Sequence, residues 1–528
     1  MSRLSSIRLI SVALLALSPA RPSLGLADPA PEPSEPAPII SAIEVRTENV
    51  FSDGETKRHF LPYGLLNALH RTTRPWFVRQ VLTVHEGDSL ASADLAESER
   101  NLRHLQIFRH VAVTADTDSV FVETADSWTA KPWLGISRGG GVNTATIGLE
   151  DRNLLGTCRR FQILYDQGEE RTARTISVTD PGATIPRTTI EVTGSDYSDG
   201  WGWSAGMTRP FHRFEDPIAG SASFEASDIS ERTYAAGKPV AQWRQIDQFG
   251  DALAMVCLQR SASSVWRTGV SGSWQDWQYR QGALGSPPPD SSRSYLFVLF
   301  HLEHDGRSWI KRRNIDEIDR DEDFNLSPRA SLAAGASPGW FATRQAGQVL
   351  ASISDGMTLG SAFAMVSASG GSRREDGWRQ MVFTGEERTY FAGIPRTSVV
   401  SRIGATVGRR LDPGQEIALD GDHGVRAYRL HAATGTSRLV GNLEARTRVA
   451  SEVLHLVSLG AAIFGDGGVS NGPPDGHVVL ADAGLGLRLG LTRASAHTLV
   501  RIDMARALMP DPSGWKGWQF SFATGQAF

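Results

Sequence analysis

The chain has 528 residues, and its 54 lysines and arginines nearly balance its 58 aspartates and glutamates, which gives a net charge of −4. Nucleic-acid-binding proteins usually carry a marked basic excess, so this balance argues against nucleic acid as a partner. Hydrophobic residues at 40% and charged residues at 21% exclude a disordered polyelectrolyte, and the mean hydropathy of −0.23 is that of an ordinary soluble protein.

The amino terminus has the three-part pattern of a secretory signal peptide. Arg3 and Arg8 precede an apolar run over residues 9–17, and Gly25-Leu26-Ala27 offers a cleavage site of small residues. The apolar run is too short to cross a bilayer. We therefore expect residues 1–27 to be a signal peptide and the mature protein to lie outside the cytoplasm. Residues 28–38 are rich in proline and predict a semi-rigid linker.

A small unit of mixed elements is predicted over residues 39–130. Residues 41–47 alternate as a strand does, and the leucines of 65–69 and of 95–105 are spaced as on two helices. Residues 110–124 predict two strands around a turn. The predicted order is strand, helix, helix, strand, strand.

The remainder of the chain, residues 131–528, predicts strands and turns. Segments rich in β-branched and aromatic residues alternate with glycine-rich turns, as at 159–165, 172–179, 399–408 and 478–490. No stretch approaches the roughly 18 consecutive apolar residues of a membrane helix, so a chain of this kind can span a membrane only as a closed β-barrel. Sixteen strands would take roughly 25 residues each with their turns. We predict a mainly β protein with a transmembrane β-barrel of 16 strands.

The carboxyl-terminal segment has the alternation of a barrel strand. Trp518, Phe520, Phe522 and Phe528 share one parity, and small or polar residues occupy the other. Large apolar side chains toward lipid and small ones toward a lumen are what a membrane barrel requires. A strand buried on one face of a soluble sandwich alternates in the same way, so a soluble secreted β-rich enzyme stays as an alternative.

Several segments in order resemble the BamA/TamA-type bacterial surface antigens, which are outer-membrane barrels preceded by periplasmic POTRA domains. They are Ile147–Gly156, Glu322–Leu326, Gly424–Tyr428, Asn442–Arg446 and Phe464–Gly468. The resemblance implies one periplasmic POTRA domain over 39–130 and a barrel in the bacterial outer membrane over 131–528.

The same resemblance implies a protein that assists insertion of outer-membrane proteins or passage of polypeptides. Its partners would be outer-membrane lipids and unfolded or nascent polypeptides, bound at POTRA sheet edges and at a seam between strands near 131–149 and 515–528. A passive channel or structural barrel is the first alternative. The resemblance names no client and no accessory protein.

In that family, the arginine of a Val-Arg-Gly-aromatic motif lies in a long loop folded into the lumen and pairs with an acidic residue of the inner wall. The likeness makes Arg426 of Gly424-Val425-Arg426-Ala427-Tyr428 the loop arginine, Asp466 its wall partner and Glu444 a second candidate. The alternative is a solvated Arg426 and an Asp466 that belongs to a turn.

The sequence departs from the family pattern at two positions where a glycine is usual. Ala427 and Cys158 stand there, and a positive φ would be costly at Ala427.

We expect neither a catalytic centre nor a metal or cofactor. Gly135-Ile-Ser137-Arg-Gly139 matches a serine-nucleophile pattern, but that pattern needs a helix after it and a strand follows here. The acidic run from Asp316 to Asp323 lacks the spacing of a calcium loop and is interpreted as a solvated loop. Two cysteines, Cys158 and Cys257, leave room for one disulfide at most.

Overall fold

The computed structural model describes residues 38–58, 63–139, 142–168, 170–288, 292–340, 342, 344–495, 499–524 and 526. The predicted signal peptide (1–27), residues 28–37 of the predicted linker and Phe528 lie outside the described residues. No helix within the described ranges is long and apolar enough to cross a membrane.

The amino-terminal part of the chain is a small mixed sheet covered by helices, and we call residues 38–126 the N-terminal unit. In chain order its elements are β1 (Ala42–Glu48), α1 (Asp53–Arg58), α2 (Tyr63–Leu69), α3 (Pro75–Val81), α4 (Ser92–His104), β2 (Phe108–Asp116) and β3 (Ser119–Asp126). The strand order is β1-β3-β2, with β1 parallel and β2 antiparallel to β3. The predicted element order missed α1 and α3. Helix α3 begins at Pro75, whose fixed φ suits a first helical turn.

The N-terminal unit is docked on the barrel, so the separate POTRA domain expected at 39–130 is not evident. Cys158, in a turn between barrel strands, packs into the apolar core of the unit. Asn153 donates from Nδ2 to Thr73 Oγ1 at 2.8 Å, and Arg493 pairs with Glu55 at 2.5 Å. These contacts fix the unit at one end of the barrel. We call that end the unit end and the opposite one the far end.

Twenty antiparallel strands of the remaining described chain form a closed barrel. They are β4 (Ala130–Gly139), β5 (Val142–Leu154), β6 (Arg159–Gln167), β7 (Thr172–Asp180), β8 (Thr189–Tyr197), β9 (Gly200–Arg209), β10 (Ile218–Ala235), β11 (Lys238–Arg260), β12 (Ser264–Leu284), β13 (Ser292–Gly306), β16 (Arg329–Ser337), β17 (Ala346–Leu359), β18 (Ala362–Arg374), β19 (Trp378–Ile394), β20 (Thr397–Arg409), β23 (Ser437–Val453), β24 (Val457–Asn471), β25 (Val478–Leu491), β26 (Leu499–Ala507) and β27 (Trp518–Thr524). Two short pairs lie outside this sheet: β14 (Trp309–Arg313) with β15 (Asp321–Asn325), and β21 (Ile417–Leu419) with β22 (Ala433–Gly435).

The prediction of sixteen strands was wrong because it allowed too much chain for the connections. Several turns contain only two residues. Ala236-Gly237, for example, joins β10 to β11 with both residues at positive φ, 48° and 68°, as in the tight turns that best fit the twist of a hairpin. Chain saved in such turns builds the four additional strands.

The wall is apolar outside and largely polar inside. On β23, Leu439 and Leu443 point outward and are more than half exposed, whereas Val440, Asn442 and Glu444 point inward and are buried. This is the arrangement that lipid requires of a barrel. Because a mean hydropathy averages the two faces, the value for the whole chain does not reveal it.

Candidate functional site

A long segment between β20 and β23 folds into the barrel from the far end, and we call residues 410–436 the lumen loop. Val425 and Tyr428 are fully buried and belong to one apolar cluster with Phe464 and Leu480 of the inner wall. The Tyr428 hydroxyl donates to the carbonyl oxygen of Met509 at 2.8 Å. Apolar packing and this hydrogen bond therefore hold the loop against β24, β25 and the segment after β26.

The structure brings together Arg426, Asp466 and Glu444, the three residues that the resemblance singled out. Arg426 donates from Nε to Asp466 Oδ2 at 2.7 Å and from Nη2 to Asp466 Oδ1 at 3.0 Å. Its Nη1 donates to Glu444 Oε2 at 2.6 Å. Its guanidinium carbon also lies 3.4 Å from the centroid of the Phe464 ring. A two-pronged contact of this kind fixes both the position and the orientation of the arginine.

The Arg426 site belongs to a wider charged network on the inner wall. Glu444 Oε1 accepts hydrogen bonds at 3.0 Å from Arg446 Nε and from Arg488 Nη2. Arg488 Nη1 in turn donates to Asp503 Oδ1 at 2.5 Å, and Asp503 Oδ2 accepts a hydrogen bond from Arg501 Nη1 at 2.9 Å. Arginines and carboxylates alternate along the network, which limits the cost of withdrawing so many charges from water.

The two departures from the family pattern differ in their backbone geometry. Ala427 does not have a positive φ, and its N–H donates to Asp482 Oδ2 at 3.1 Å. The positive φ of the motif belongs to Gly424, at 109°, where a Cβ would lie 2.4 Å from Cγ1 of Val440. Cys158 does have a positive φ, of 57°, so glycine would fit better at that position.

A second segment enters the barrel from the unit end, and we call residues 307–328, which join β13 to β16, the plug hairpin. Its strands are β14 and β15. Ile315 at its tip is buried in a cluster with Phe363, Tyr390 and Val400 of the wall. Ile318 fits over glycines of the wall, since a Cβ at Gly490 would lie 2.8 Å from the Ile318 Cβ. The hairpin therefore occupies part of the lumen.

One sequence interpretation of this segment was wrong. The acidic run 316–323 is not a solvated loop, because Asp319 is largely buried and accepts hydrogen bonds at 2.6 Å from both Arg448 and Ser458. The segment Glu322–Leu326, which resembles a family segment, lies on β15 of the hairpin and just beyond it. No group of metal-binding side chains occurs in the part of the chain that the structure describes.

The lumen loop and the plug hairpin are joined by a continuous series of ion pairs. Arg426 of the loop contacts Glu444, Glu444 contacts Arg446 of the same strand, and Arg446 Nη1 donates to Asp316 Oδ1 of the hairpin at 3.0 Å. Segments that enter from opposite ends thus meet at the inner face of β23. The sequence signal for this contact was the acidic run at residues 316–323. Its basic partners lie more than a hundred residues away in the chain, so no local pattern could identify them.

Helix α4 of the N-terminal unit holds the outer part of the plug hairpin. Arg103 donates from Nε and Nη2 to the two carboxylate oxygens of Asp323, both at 2.8 Å. Glu99 pairs with Lys311 at 3.2 Å, and Arg100 lies over the ring of Trp309. The N-terminal unit is therefore in direct contact with a segment that occupies part of the lumen.

The first and last barrel strands meet in a short seam. Within the described residues, β27 pairs with β4 at only two positions, Phe520 with Arg138 and Ser521 with Ser137. On its other side β27 pairs with β26 along its whole length. This is the least paired junction in the described barrel, since each of the others has a longer register.

Trp518 and Phe520 are about half exposed on the outer face of β27, and Phe522 is half-buried. Ser137 lies within β4, so no helix follows it in the way that the nucleophile pattern requires. Cys158 and Cys257 are free thiols and form no bridge.

Comparison with known proteins finds likeness only among solved structures. No family model matches the chain, and no curated protein matches it. BamA from Haemophilus ducreyi lacking POTRA domains 1–3 is 12% identical over 92% of this chain and 85% of that chain, with a TM-score of 0.40. CdiB from Acinetobacter baumannii is 12% identical over 93% and 74%, with a TM-score of 0.46. The FrpB iron transporter from Neisseria meningitidis is 7% identical over 79% and 86%, with a TM-score of 0.42. Likeness of this size identifies no activity for this chain.

Proposed function

We propose that this protein is a barrel of the bacterial outer membrane that assists the insertion of other barrel proteins at its seam. The N-terminal unit would lie in the periplasm as a POTRA-like domain and receive unfolded polypeptides at its sheet edges. No catalytic residue or cofactor enters this proposal. The single observation that carries it is the two-position pairing of β27 with β4.

The short seam matters because backbone hydrogen bonds left unmade at a strand edge are available to another chain. An edge strand is a template for pairing, and an incoming strand could extend β4 or β27 without any demand on its sequence. In a membrane such an edge is costly unless it is paired. A client strand at the seam would therefore lower the free energy of both proteins.

The plug hairpin and the lumen loop favour the seam over the lumen as the path for a client. Passage of a polypeptide through the lumen would require displacement of the hairpin with Asp316 and Asp319, whose carboxylates are bound to Arg446 and Arg448. Opening of the seam leaves both inward segments in place. Polypeptide translocation through the lumen is the second candidate, because the hairpin touches an N-terminal unit that could move it.

Two engineered disulfides distinguish these routes. Ser137→Cys with Ser521→Cys would lock the seam, because paired antiparallel residues lie within disulfide range. Ile318→Cys with Gly490→Cys would lock the plug hairpin to the wall, after a small separation of the two Cβ atoms. Both pairs are made with Cys158→Gly and Cys257→Ser, and each single cysteine serves as its matched control.

The measurement is insertion of a small reporter barrel into proteoliposomes that contain each variant, followed by its heat-dependent shift in gel mobility. We expect the oxidised seam lock to abolish the stimulation of insertion and reduction to restore it, while the hairpin lock has no effect. If only the hairpin lock inhibited activity, the result would favour translocation through the lumen over insertion at the seam. If the protein remained fully active with each lock closed, or if the wild type did not stimulate insertion, a passive or structural barrel would be the remaining interpretation.

The membrane location has its own test. The purified chain should require detergent and should migrate faster on a gel before heating than after it, as closed barrels do. A chain that is soluble without detergent and shows no such shift would be a secreted β-rich protein. Depletion in the native cell, followed by a proteomic count of outer-membrane proteins, then tests the role in assembly.

A further inference from the structure

A basic and aromatic groove lies where the N-terminal unit meets the outside of the barrel. We call it the rim groove; its cavity is about 460 Å³, and it is lined by Trp76, Arg79, Gln80, His85, Pro186, Arg187 and Arg209. Gln80 of α3 donates to the carbonyl oxygen of Gly182 at 2.5 Å. Helix α3 is therefore tied to the turn between β7 and β8, and the groove is formed jointly by the unit and the barrel.

The groove carries more positive charge than its carboxylates can offset. Among the residues that the structure describes, the Arg209 side chain has no hydrogen-bond or ion-pair partner, and the Arg187 guanidinium has one, the His85 ring at 3.1 Å. Arg79 is half exposed and lies 3.5 Å from the equally exposed Glu86. The other nearby carboxylate, Asp88, is engaged by Arg213 at 3.2 Å. Two arginines are thus left facing the groove with no anionic partner among the described residues.

The groove also lies at the edge of the apolar outer surface of the barrel. Arg209 ends the outward-facing row of β9 that begins with Trp201, Trp203 and Met207, each more than 40% exposed. In the neighbouring turn, Ile185 is 41% exposed. An arginine that continues a lipid-facing row reaches the level at which an apolar surface gives way to water.

We propose that the rim groove binds the phosphate of an anionic phospholipid in the leaflet next to the N-terminal unit. This inference rests on the proposal that the barrel spans a membrane. Arg187 and Arg209 supply planar donors that match phosphate oxygens, and the indole of Trp76, 47% exposed, suits the headgroup level. Lipid is favoured over a polypeptide because Arg209 stands in the outward row of the wall and not on a sheet edge of the N-terminal unit. A bound lipid would fasten the unit against the membrane surface.

The test uses the full-length protein in detergent, titrated with phosphatidylglycerol or with phosphatidylcholine and followed by native mass spectrometry. The variant is Arg187→Gln with Arg209→Gln. The matched control is Arg174→Gln with Arg280→Gln, which removes two exposed arginines near the far end. A basic residue near an anionic lipid surface contributes about 1 kcal/mol, so the variant should bind phosphatidylglycerol roughly thirtyfold more weakly. The control should bind as the wild type does.

Three results would overturn the inference: equal phosphatidylglycerol binding by the variant and the control, equal binding of phosphatidylcholine and phosphatidylglycerol by the wild type, or release of the bound lipid by an excess of unfolded polypeptide. The last result would assign the groove to polypeptide. The heat-dependent gel shift of each variant shows whether its barrel is intact. Absence of that shift in the wild type would instead reject the proposed membrane barrel, so the two failures are distinguishable.

Discussion

Arg446 of β23 holds Asp316 of the plug hairpin, with 3.0 Å between Nη1 and Oδ1, while its Nε holds Glu444 on its own strand. Because Glu444 also binds Arg426 of the lumen loop, a single wall strand anchors both segments that enter the barrel. We therefore expect the lumen loop and the plug hairpin to stabilise each other, because the charged wall residues Glu444 and Arg446 connect them.

Replacement of Asp316 by asparagine should loosen the tip of the plug hairpin. The change keeps the shape and removes the charge that Arg446 meets, and a hydrogen bond to a charged group contributes about 1.5–3 kcal/mol. Amide hydrogen exchange over residues 309–325 should accelerate about tenfold to a hundredfold. Asp376→Asn, in an exposed connection at the far end, is the matched control. Unchanged exchange in the Asp316→Asn variant would contradict the arrangement.

Charge reversal at Arg426 and Asp466 should show strong coupling. Each single change, Arg426→Asp or Asp466→Arg, places two like charges together in a buried site, at a cost of about 3–5 kcal/mol in unfolding free energy. The double variant restores one attraction but places the carboxylate introduced at position 426 next to Glu444. We therefore expect it to recover only part of the lost unfolding free energy. The measurements are denaturant stability and the access of protease to residues 410–436.

The double-variant cycle for this pair is read from the difference between the combined effect and the sum of the two single effects. A difference above about 1 kcal/mol indicates coupling. Purely additive effects would mean that Arg426 and Asp466 do not act as a pair. Arg46→Asp, at a highly exposed position of β1, controls for the change in net charge.

Much of the barrel is visible in the sequence because a strand in lipid must alternate. The parity of Trp518 and Phe520 places both side chains on the outer face, as the structure does. Alternation does not encode the length of a turn, so the predicted number of strands, sixteen, was too low. The positive φ at Ala236 shows why: a two-residue turn can be built without the glycine pair that would have marked it.

The lumen site could be only half predicted. The Gly424–Tyr428 motif and its wall residues Asp466 and Glu444 have local patterns that a resemblance can match. Asp316 and Asp319 of the plug hairpin have no such pattern, because they look solvated until Arg446 and Arg448 are folded against them. The contact between Arg103 and Asp323 likewise joins residues 220 positions apart, which periodicity cannot reveal.

Removal of Arg103 should weaken the closure of the lumen. Arg103→Ala leaves the largely buried Asp323 carboxylate without its two-pronged partner, a loss of about 1–3 kcal/mol. In planar bilayers we expect more frequent openings and a larger mean conductance than for the wild type. Arg46→Ala, whose ion pair is mostly exposed, should conduct as the wild type does. Identical conductance of the Arg103→Ala variant would show that α4 does not hold the hairpin in place.

Glu322 makes the seating of the plug hairpin sensitive to pH. Burial and the neighbouring Asp316 carboxylate raise the pKa of Glu322 to about 8, although the N–H groups of Ile315 and Asp316 donate to it. In a released, solvated hairpin the carboxyl would titrate near its ordinary value of 4.5. Between these two values the released hairpin is ionised and the seated one is protonated. Seating is therefore strongest below about pH 4.5 and weakens as the pH rises toward 8.

The conductance of the wild type should accordingly rise between about pH 5 and pH 8, because each pH unit lowers the free energy that holds the hairpin in the lumen by up to about 1.4 kcal/mol. Glu322→Gln keeps an acceptor for the backbone N–H groups and removes the titration, so its conductance should stay low and nearly constant over that range. Asp376→Asn, in the exposed connection between β18 and β19 at the far end, should retain the wild-type profile. A pH dependence that survives unchanged in Glu322→Gln would assign the titration to another group.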